Sequence, residues 1–179
     1  MLSPMRRLML LRHAKSDRSA PGAVDRDRPL EPRGKEAAPR IGAYMAHHGL
    51  VPDLAICSPA RRTRDTWSLA AAAFSKLPSV TLEDRVYDAS ANTLLDVARK
   101  TRDDVHSLLI IGHNPGLQDL AALLIASGDV DARERLHEKL PTAGLVVIDF
   151  AYDDWQKLHR QAGRLDRFVT PRSLTSATD

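Results

Sequence analysis

Two histidines of this chain follow apolar runs that have the character of buried strands. Arg12 and His13 come directly after the apolar run 8–11, and His113 follows the run 107–111 after a single glycine. In an open α/β sheet, ligands bind in the crevice outside the carboxyl ends of the strands. The two junctions therefore predict that both imidazoles project into one crevice.

A third strand end supplies arginines. The short apolar run 54–57 leads into Ser-Pro and then into Arg61, Arg62 and Arg64, where a helix should begin. The planar fork of an arginine can bind phosphoryl oxygens bidentately, and a neutral imidazole can attack phosphorus to form a covalent intermediate. A second imidazole, if protonated, would add charge and donors. Because positioning and electrostatics dominate phosphoryl transfer, these residue types suggest a phosphoryl site that requires no metal in principle.

Four motifs carry a resemblance to a known family. Arg-His-Ala at 12–14 resembles the Arg-His-Gly type motif of the histidine phosphatase superfamily, the phosphoglycerate mutase-like group, with alanine in the glycine position. Arg-Pro-Leu at 28–30 with Gly34, Ser-Pro-Ala-Arg-Arg-Thr at 58–63 and Gly-His-Asn-Pro at 112–115 resemble its other motifs, in the same order. The short chain and its Arg-His-Ala-Lys-Ser variant are most similar to the SixA-type branch of phosphohistidine phosphatases.

The resemblance implies a role for each site residue. It makes His13 the nucleophile, and it makes Arg12, Arg62 and His113 the residues that hold the phosphoryl oxygens. Arg61 competes with Arg62 for its place in the motif. We prefer Arg62 because the family's arginine lies four residues after the serine of Ser-Pro, which here is Ser58.

A general acid is harder to identify. Members of the superfamily that cleave alkyl phosphates carry a carboxylic acid for the leaving group, but Glu83, Asp84 and Asp88 do not match that acid motif clearly. The SixA-type branch is similar in lacking it, and an imidazole leaving group departs more readily than an alkoxide. Asp88 is a candidate acid, although its place before a helical pattern also suits N-capping.

Composition limits the classes of protein to consider. The length of 179 residues predicts a single domain, and the net charge is a mild +3. The resemblance makes this one histidine phosphatase domain over 1–179, with frayed ends expected at 1–4 and about 170–179. Cys57 is the one cysteine, so no intramolecular disulfide forms and a cytoplasmic setting fits best. No apolar segment approaches the length of a membrane span, and no nucleic-acid motif is present. We expect no membrane and no nucleic-acid partner.

Strand and helix patterns alternate, which predicts an α/β fold. We expect a three-layer α/β/α sandwich with a mostly parallel central sheet and an antiparallel edge strand. Predicted strands cover 7–11, 54–57, 108–111 and 144–150, with an antiparallel partner reaching about Gly163. Predicted helices cover 32–48, 59–74, a segment around 94–98, 115–127 and 129–139. The charged helix 129–139 either covers the pocket, contacts a partner or is simply solvated.

The combined expectation is a metal-independent phosphohistidine phosphatase, a hydrolase of SixA type. It would act on a phosphorylated histidine-containing signalling protein or on a small phosphorylated substrate, through a phosphorylated His13, with no cofactor. Two alternatives stay open: a small-molecule phosphatase or mutase of the same superfamily, and a non-catalytic phosphate-binding module. We also predict that one ring nitrogen of His13 donates to a backbone carbonyl, which leaves the other free to attack.

Overall fold

The computed structural model describes residues 5–19, 21–22 and 24–175, and the predicted fraying of 1–4 and 176–179 lies outside them. The strands are β1 (Arg6–Arg12), β2 (Leu54–Cys57), β3 (Ser79–Leu82), β4 (Ser107–Gly112), β5 (Ile125–Gly128), β6 (Leu145–Phe150) and β7 (Gly163–Val169). The α-helices are α1 (Pro32–His47), α2 (Arg61–Ala71), α3 (Ala91–Arg99), α4 (Gly116–Leu124), α5 (Val130–Glu138) and α6 (Pro171–Thr175).

The strands form one mixed sheet in the order β3-β2-β4-β1-β6-β7-β5. β1, β4, β2 and β3 are mutually parallel, so the prediction of a mostly parallel sheet is confirmed. The antiparallel strand is β6, and it lies inside the sheet between β1 and β7 rather than at the edge where we expected it. The edge strand β5 is parallel to β7.

Both faces of the sheet are buried under helices. Leu8 and Leu10 of β1 pack into a core beneath α3, α4 and α5, whereas Met9 and Leu11 pack into a second core beneath α1 and α2. Successive side chains of a strand point to opposite faces, so a strand covered on both sides reads as a continuous apolar run. This explains why the run 8–11 lacks alternation, and it confirms the three-layer sandwich.

Three predicted boundaries are wrong in informative ways. The helix predicted to reach about residue 127 ends at Leu124, because Ile125 turns to an extended conformation and pairs with Gly163. The antiparallel partner of β6 begins at Gly163 rather than ending there. The segment before it instead forms the 3-10 turn Trp155–Lys157, in which the buried Trp155 donates to the Val105 carbonyl oxygen at 2.7 Å. The segment predicted to fray from about residue 170 forms the short helix α6.

Gly34 and Gly116 let the helices α1 and α4 pack closely against backbone segments near the strand ends. A Cβ at Gly34 would lie 2.2 Å from the Lys15 carbonyl oxygen, and one at Gly116 would lie 2.0 Å from the Ala89 carbonyl oxygen. α1 therefore packs directly on the backbone that follows the end of β1. Among the described residues, none of the helices combines the length and the apolar character that crossing a bilayer would need.

Candidate active site

The two histidines meet because β1 and β4 are adjacent and parallel. Arg12 pairs with Gly112 in the register of the sheet, and the backbone N–H of His13 donates to the Gly112 carbonyl oxygen at 3.1 Å. The ring centroids of His13 and His113 are 5.4 Å apart. The structure thus brings both imidazoles to one crevice at the carboxyl ends of the strands.

His13 is a buried, neutral imidazole with one ring nitrogen engaged. Its Nδ1 lies 2.8 Å from the Ala14 carbonyl oxygen. A carbonyl can only accept, so Nδ1 carries the proton and Nε2 carries the lone pair. This is the contact that the sequence predicted. Burial lowers the pKa of His13 to about 4, and the charges of Arg62, Arg12 and Arg28 act in the same direction.

His113 is also neutral, but its proton is on the other nitrogen. Its Nδ1 accepts from Nη2 of Arg62 at 3.3 Å, because a guanidinium can only donate, and its Nε2 donates to Ser58 Oγ at 2.7 Å. Burial, followed by the charge of Arg62, lowers the pKa of His113 to about 3. A cationic second imidazole, as considered from the sequence, would therefore require a phosphoryl dianion beside it.

Arg62, and not Arg61, faces the pocket. Arg62 is 3% exposed and donates from Nη1 to the Asp25 carbonyl oxygen at 2.8 Å and from Nη2 to the Asp25 carboxylate at 3.1 Å. Arg61 lies on the solvent side of α2 and pairs with Asp65 at 3.5 Å. Arg64 is exposed and donates to the Pro59 carbonyl oxygen. The geometry therefore favours the position preferred from the motif.

Arg12 enters the pocket from the end of β1. Its Nη1 donates to the Leu140 carbonyl oxygen at 3.0 Å, which anchors the guanidinium without neutralising it. Burial, with the charge of Arg18, lowers the pKa of Arg12. The Nε atoms of Arg12 and Arg62 are both buried and have no hydrogen-bond partner among the described residues. Two buried donors without acceptors are costly, and an anion with several oxygens would satisfy them.

Sequence reasoning missed Asp25, which organises one side of the site. Its carboxylate accepts from Arg62, from Arg28 Nε at 3.0 Å and from the hydroxyl of Tyr87. The Tyr87 hydrogen bond, together with Arg62 and Arg28, lowers the pKa of Asp25 to about 2. The Tyr87 ring also packs edge-on against His113, with centroids 5.4 Å apart. Nothing local distinguishes Asp25 from the neighbouring acids of its charged loop.

The three candidate acids occupy different places. Asp88 lies at the rim, with Oδ1 3.7 Å from His113 Nδ1 and 3.9 Å from Arg62 Nη2, so it makes no hydrogen bond to either. It does not cap α3, because Ser90 accepts from the Thr93 N–H instead. Glu83 caps the 3-10 turn Asp84–Val86, and Asp84 pairs with Arg26 at the surface.

The arrangement can bind an anion between two guanidinium groups and present a neutral nitrogen nucleophile to it. The described residues contain no group of three or more His, Cys, Asp or Glu side chains that could hold a metal ion. A tetrahedral phosphoryl group suits the pocket because its peripheral oxygens can accept from both arginines while His13 Nε2 attacks phosphorus. These are the groups that transfer of a phosphoryl group to an imidazole requires.

Three comparisons relate this chain to known proteins. The sequence profile of the histidine phosphatase superfamily (branch 1) matches residues 8–90. An uncharacterised protein of Mycobacterium tuberculosis is 34% identical over 164 residues, which are 90% of this chain and 100% of that protein. A solved structure from Agrobacterium tumefaciens, provisionally assigned as phosphohistidine phosphatase SixA, is 31% identical with a TM-score of 0.75 over 93% of this chain and 98% of that one. A structure from Nakamurella multipartitia with the same provisional assignment is 26% identical with a TM-score of 0.82 over 96% and 99%.

Proposed function

Because this chain belongs to the histidine phosphatase superfamily, we propose that it is a phosphohistidine phosphatase that dephosphorylates a histidine of a signalling protein. The observation that carries the proposal is the protonation of His13. Its Nδ1–H is fixed on the Ala14 carbonyl oxygen and its pKa is lowered to about 4, so Nε2 holds a lone pair at neutral pH. That is the form a nucleophile needs.

The reaction proceeds in two displacements, and neither requires a metal. His13 Nε2 attacks phosphorus and forms a P–N bond while the P–N bond to the substrate imidazole breaks. The substrate ring, protonated by solvent at its free nitrogen, departs as neutral imidazole with the electron pair of the broken bond. His13 keeps its Nδ1 proton and becomes a phosphorylated imidazolium. Water then attacks phosphorus, the P–N bond electrons return to Nε2 so that the ring is neutral again, and inorganic phosphate leaves with the oxygen and protons of the water. Arg12 and Arg62 supply the buried donors that stabilise the oxygens in both steps.

The carboxylates support an imidazole rather than an alkoxide as the leaving group. Asp25 is ionised at neutral pH because its pKa is lowered to about 2, so it holds no proton to donate. Asp88 is at the rim and makes no hydrogen bond within the pocket. An alkoxide needs a proton donor in the pocket as it departs, whereas a phosphohistidine ring that solvent has protonated at its free nitrogen leaves as a neutral, weakly basic imidazole. Phosphoramidates such as phosphohistidine therefore suit this pocket better than alkyl phosphates.

The setting we propose is the cytoplasm, where phosphorylated signalling proteins would be the substrates. Cys57 is the one cysteine of the chain, and burial raises the pKa of its thiol to about 12. A thiol with so little thiolate is inert, which suits a structural role in a reducing compartment.

A substrate panel with EDTA present tests this function. We expect hydrolysis of a phosphohistidine peptide with a kcat/KM well above that for sugar phosphates, together with an acid-labile, alkali-stable phosphoryl label on His13 during turnover. Preference for sugar phosphates would favour the small-molecule phosphatase. Binding without turnover or labelling would favour a phosphate-binding module, and activity lost to EDTA would contradict the metal-free mechanism.

A further inference from the structure

A second concavity, which we call the basic groove, opens beside the pocket. It has a volume of about 990 Å³ and lies between α1, the end of α5, the loop after β1 and the segment around α6. Six cationic residues line it: Lys15, Arg33, Arg40, Arg135, Lys139 and Arg172. With Glu36 as the acidic residue of the described lining, its formal charge is +5, which exceeds the +3 of the entire chain.

Most of these cations lack partners of opposite charge. Five of them form no ion pair within residues 5–19, 21–22 and 24–175: Lys15, Arg33, Arg40, Arg135 and Lys139. The guanidinium of Arg135 lies over the ring of Phe168 at 5.5 Å instead. Like charges gathered in a concave surface repel one another and focus a positive potential there. Such a surface favours an anionic partner.

Residues of the basic groove lie close to the catalytic residues. Lys15 is two residues beyond His13, and its carbonyl oxygen accepts from the Glu31 N–H at the start of α1. Pro141 and Thr142 line the groove, and the preceding residue, Leu140, accepts from Arg12. A macromolecule whose phosphoryl group binds at Arg12 and Arg62 therefore has the groove within reach.

The shape and lining fit a protein surface better than a nucleic acid. Arg33 and Arg40 are seven residues apart on α1, about 10 Å along the helix axis, which suits carboxylates spaced along one face of a partner. Ala37 and Pro141 add apolar contact area. Grooves that bind single-stranded nucleic acid stack bases on exposed aromatic rings. Within the described lining the aromatic residue is Phe168, which is 8% exposed.

We infer that the basic groove docks an acidic surface of the phosphorylated protein substrate. The inference rests on the proposed function and gives the chemistry of the partner. The groove holds the substrate by charge while the pocket performs the reaction, so docking raises kcat/KM for acidic substrates and weakens with salt.

Synthetic peptides with one phosphohistidine test the docking separately from the reaction. One peptide carries Asp and Glu around the phosphohistidine, and the other carries Asn and Gln at the same positions. We expect the protein to hydrolyse the acidic peptide with a kcat/KM about tenfold higher than that of the neutral peptide, and this ratio should shrink as salt is raised. The neutral peptide serves as the internal reference for every variant.

Arg33→Glu combined with Arg40→Glu should remove the preference or reverse it. Both side chains are exposed on α1, so the fold should be retained. The matched control is Lys76→Glu with Arg160→Glu, which makes the same charge change at exposed positions outside the groove and should keep the tenfold ratio. If the first double variant does not fold, Arg33→Gln with Arg40→Gln should still lower the ratio by about threefold.

The possible outcomes distinguish a failure of the docking inference from a failure of the proposed function. Turnover of both peptides without a preference, or the same preference in both double variants, overturns the docking and leaves the proposed function standing. Turnover of neither peptide overturns the proposed function itself. If a single-stranded oligonucleotide inhibits hydrolysis more strongly than an unphosphorylated acidic peptide of equal charge, the groove belongs to a nucleic acid and the inference is wrong.

Discussion

The two sides of the catalytic pocket are held in different ways. One side, the strand wall, consists of Arg12, His13 and His113, which leave the ends of β1 and β4 and are oriented by the Leu140 and Ala14 carbonyl oxygens and by Ser58. The other side, the loop wall, consists of Asp25, Tyr87 and Asp88.

The loop wall is more exposed and is held by side chains. The side chains of Asp25 and Asp88 are 48% and 56% exposed, and the hydrogen bonds of Asp25 run to Arg62, Arg28 and Tyr87. Arg62 contacts both walls. The difference indicates a division of labour in which the strand wall fixes the protonation needed for attack, whereas the loop wall orients Arg62.

Removing the nucleophile from the strand wall should have the largest effect. We expect His13→Ala to lower kcat on a phosphohistidine peptide by a factor on the order of 10³ or more, because His113 has both of its ring nitrogens engaged by Arg62 and Ser58 and is not free to replace it. Steady-state kinetics check this. His47→Ala, an exposed change on α1, is the control. Full activity of His13→Ala would refute the covalent mechanism.

Replacing the shared arginine should have the next largest effect. Arg62→Lys keeps the charge but loses the planar fork, so we expect kcat/KM to fall about 100-fold. The adjacent Arg61→Lys, on the solvent side of α2, should stay within about twofold of wild type. Equal losses in both variants would mean that the position of Arg62 is unimportant and that overall charge governs binding.

Altering the loop wall should have a smaller effect. Asp25→Asn removes the ionic anchor of Arg62 but leaves the nucleophile in place, so we expect kcat/KM to fall about tenfold. Asp84→Asn, whose side chain is 89% exposed and pairs with Arg26, is the control. A gain in activity of Asp25→Asn would mean that its carboxylate competes with the substrate anion, which would reverse the role assigned to the loop wall.

The two walls should also respond to acid in different pH ranges. The folded-state pKa values of His13 and His113 are lowered to about 4 and about 3, so the unfolded chain takes up protons first as pH falls below 6.5. Stability is therefore fully present above the unfolded value and is lost as pH falls toward the folded values. We expect a loss on the order of 1–2 kcal/mol per imidazole between pH 7 and pH 5.

Denaturant unfolding at several pH values measures this loss, and His13→Ala should show a shallower dependence over the same range. Asp25 behaves differently. Its pKa is lowered to about 2, so its contribution to the unfolding free energy is retained down to about pH 3.8 and is lost as the pH falls from there toward 2. A pH-independent unfolding free energy between pH 7 and pH 5 would contradict the neutral, buried histidines of the strand wall.

The strand wall could be predicted from the sequence, whereas of the loop wall the sequence indicated only Asp88, as a candidate acid. The run 8–11 is apolar because both faces of the sheet are covered, and parallel pairing with β4 then brings His13 to His113 without further information. Asp25 acquires its role only when its loop folds against α2. The sequence around Asp25 does not distinguish it from the neighbouring acids, so its contact with Arg62 could not be predicted.

Long-range pairing also accounts for the errors in the fold. The position of β6 inside the sheet depends on which strands flank it, and local pattern does not encode that choice. Ile125 reads as a continuation of α4 until pairing with Gly163 is available. The basic groove is similarly hidden, because Arg33, Arg135 and Arg172 come from distant parts of the chain.

The reversed direction of β6 affects where this chain can change in length. Because β6 runs against β1, the segment that enters β6 lies beside the nucleophile, and the Ala143 N–H donates to the carbonyl oxygens of both Arg12 and His13. A residue inserted between 139 and 144 would displace the Ala143 N–H and therefore shift the backbone of Arg12 and His13. The exposed turn at 159–161, at the far end of the sheet, has no such link. Loops of variable size in relatives of this chain are therefore expected at the far end, while the entry to β6 keeps its length.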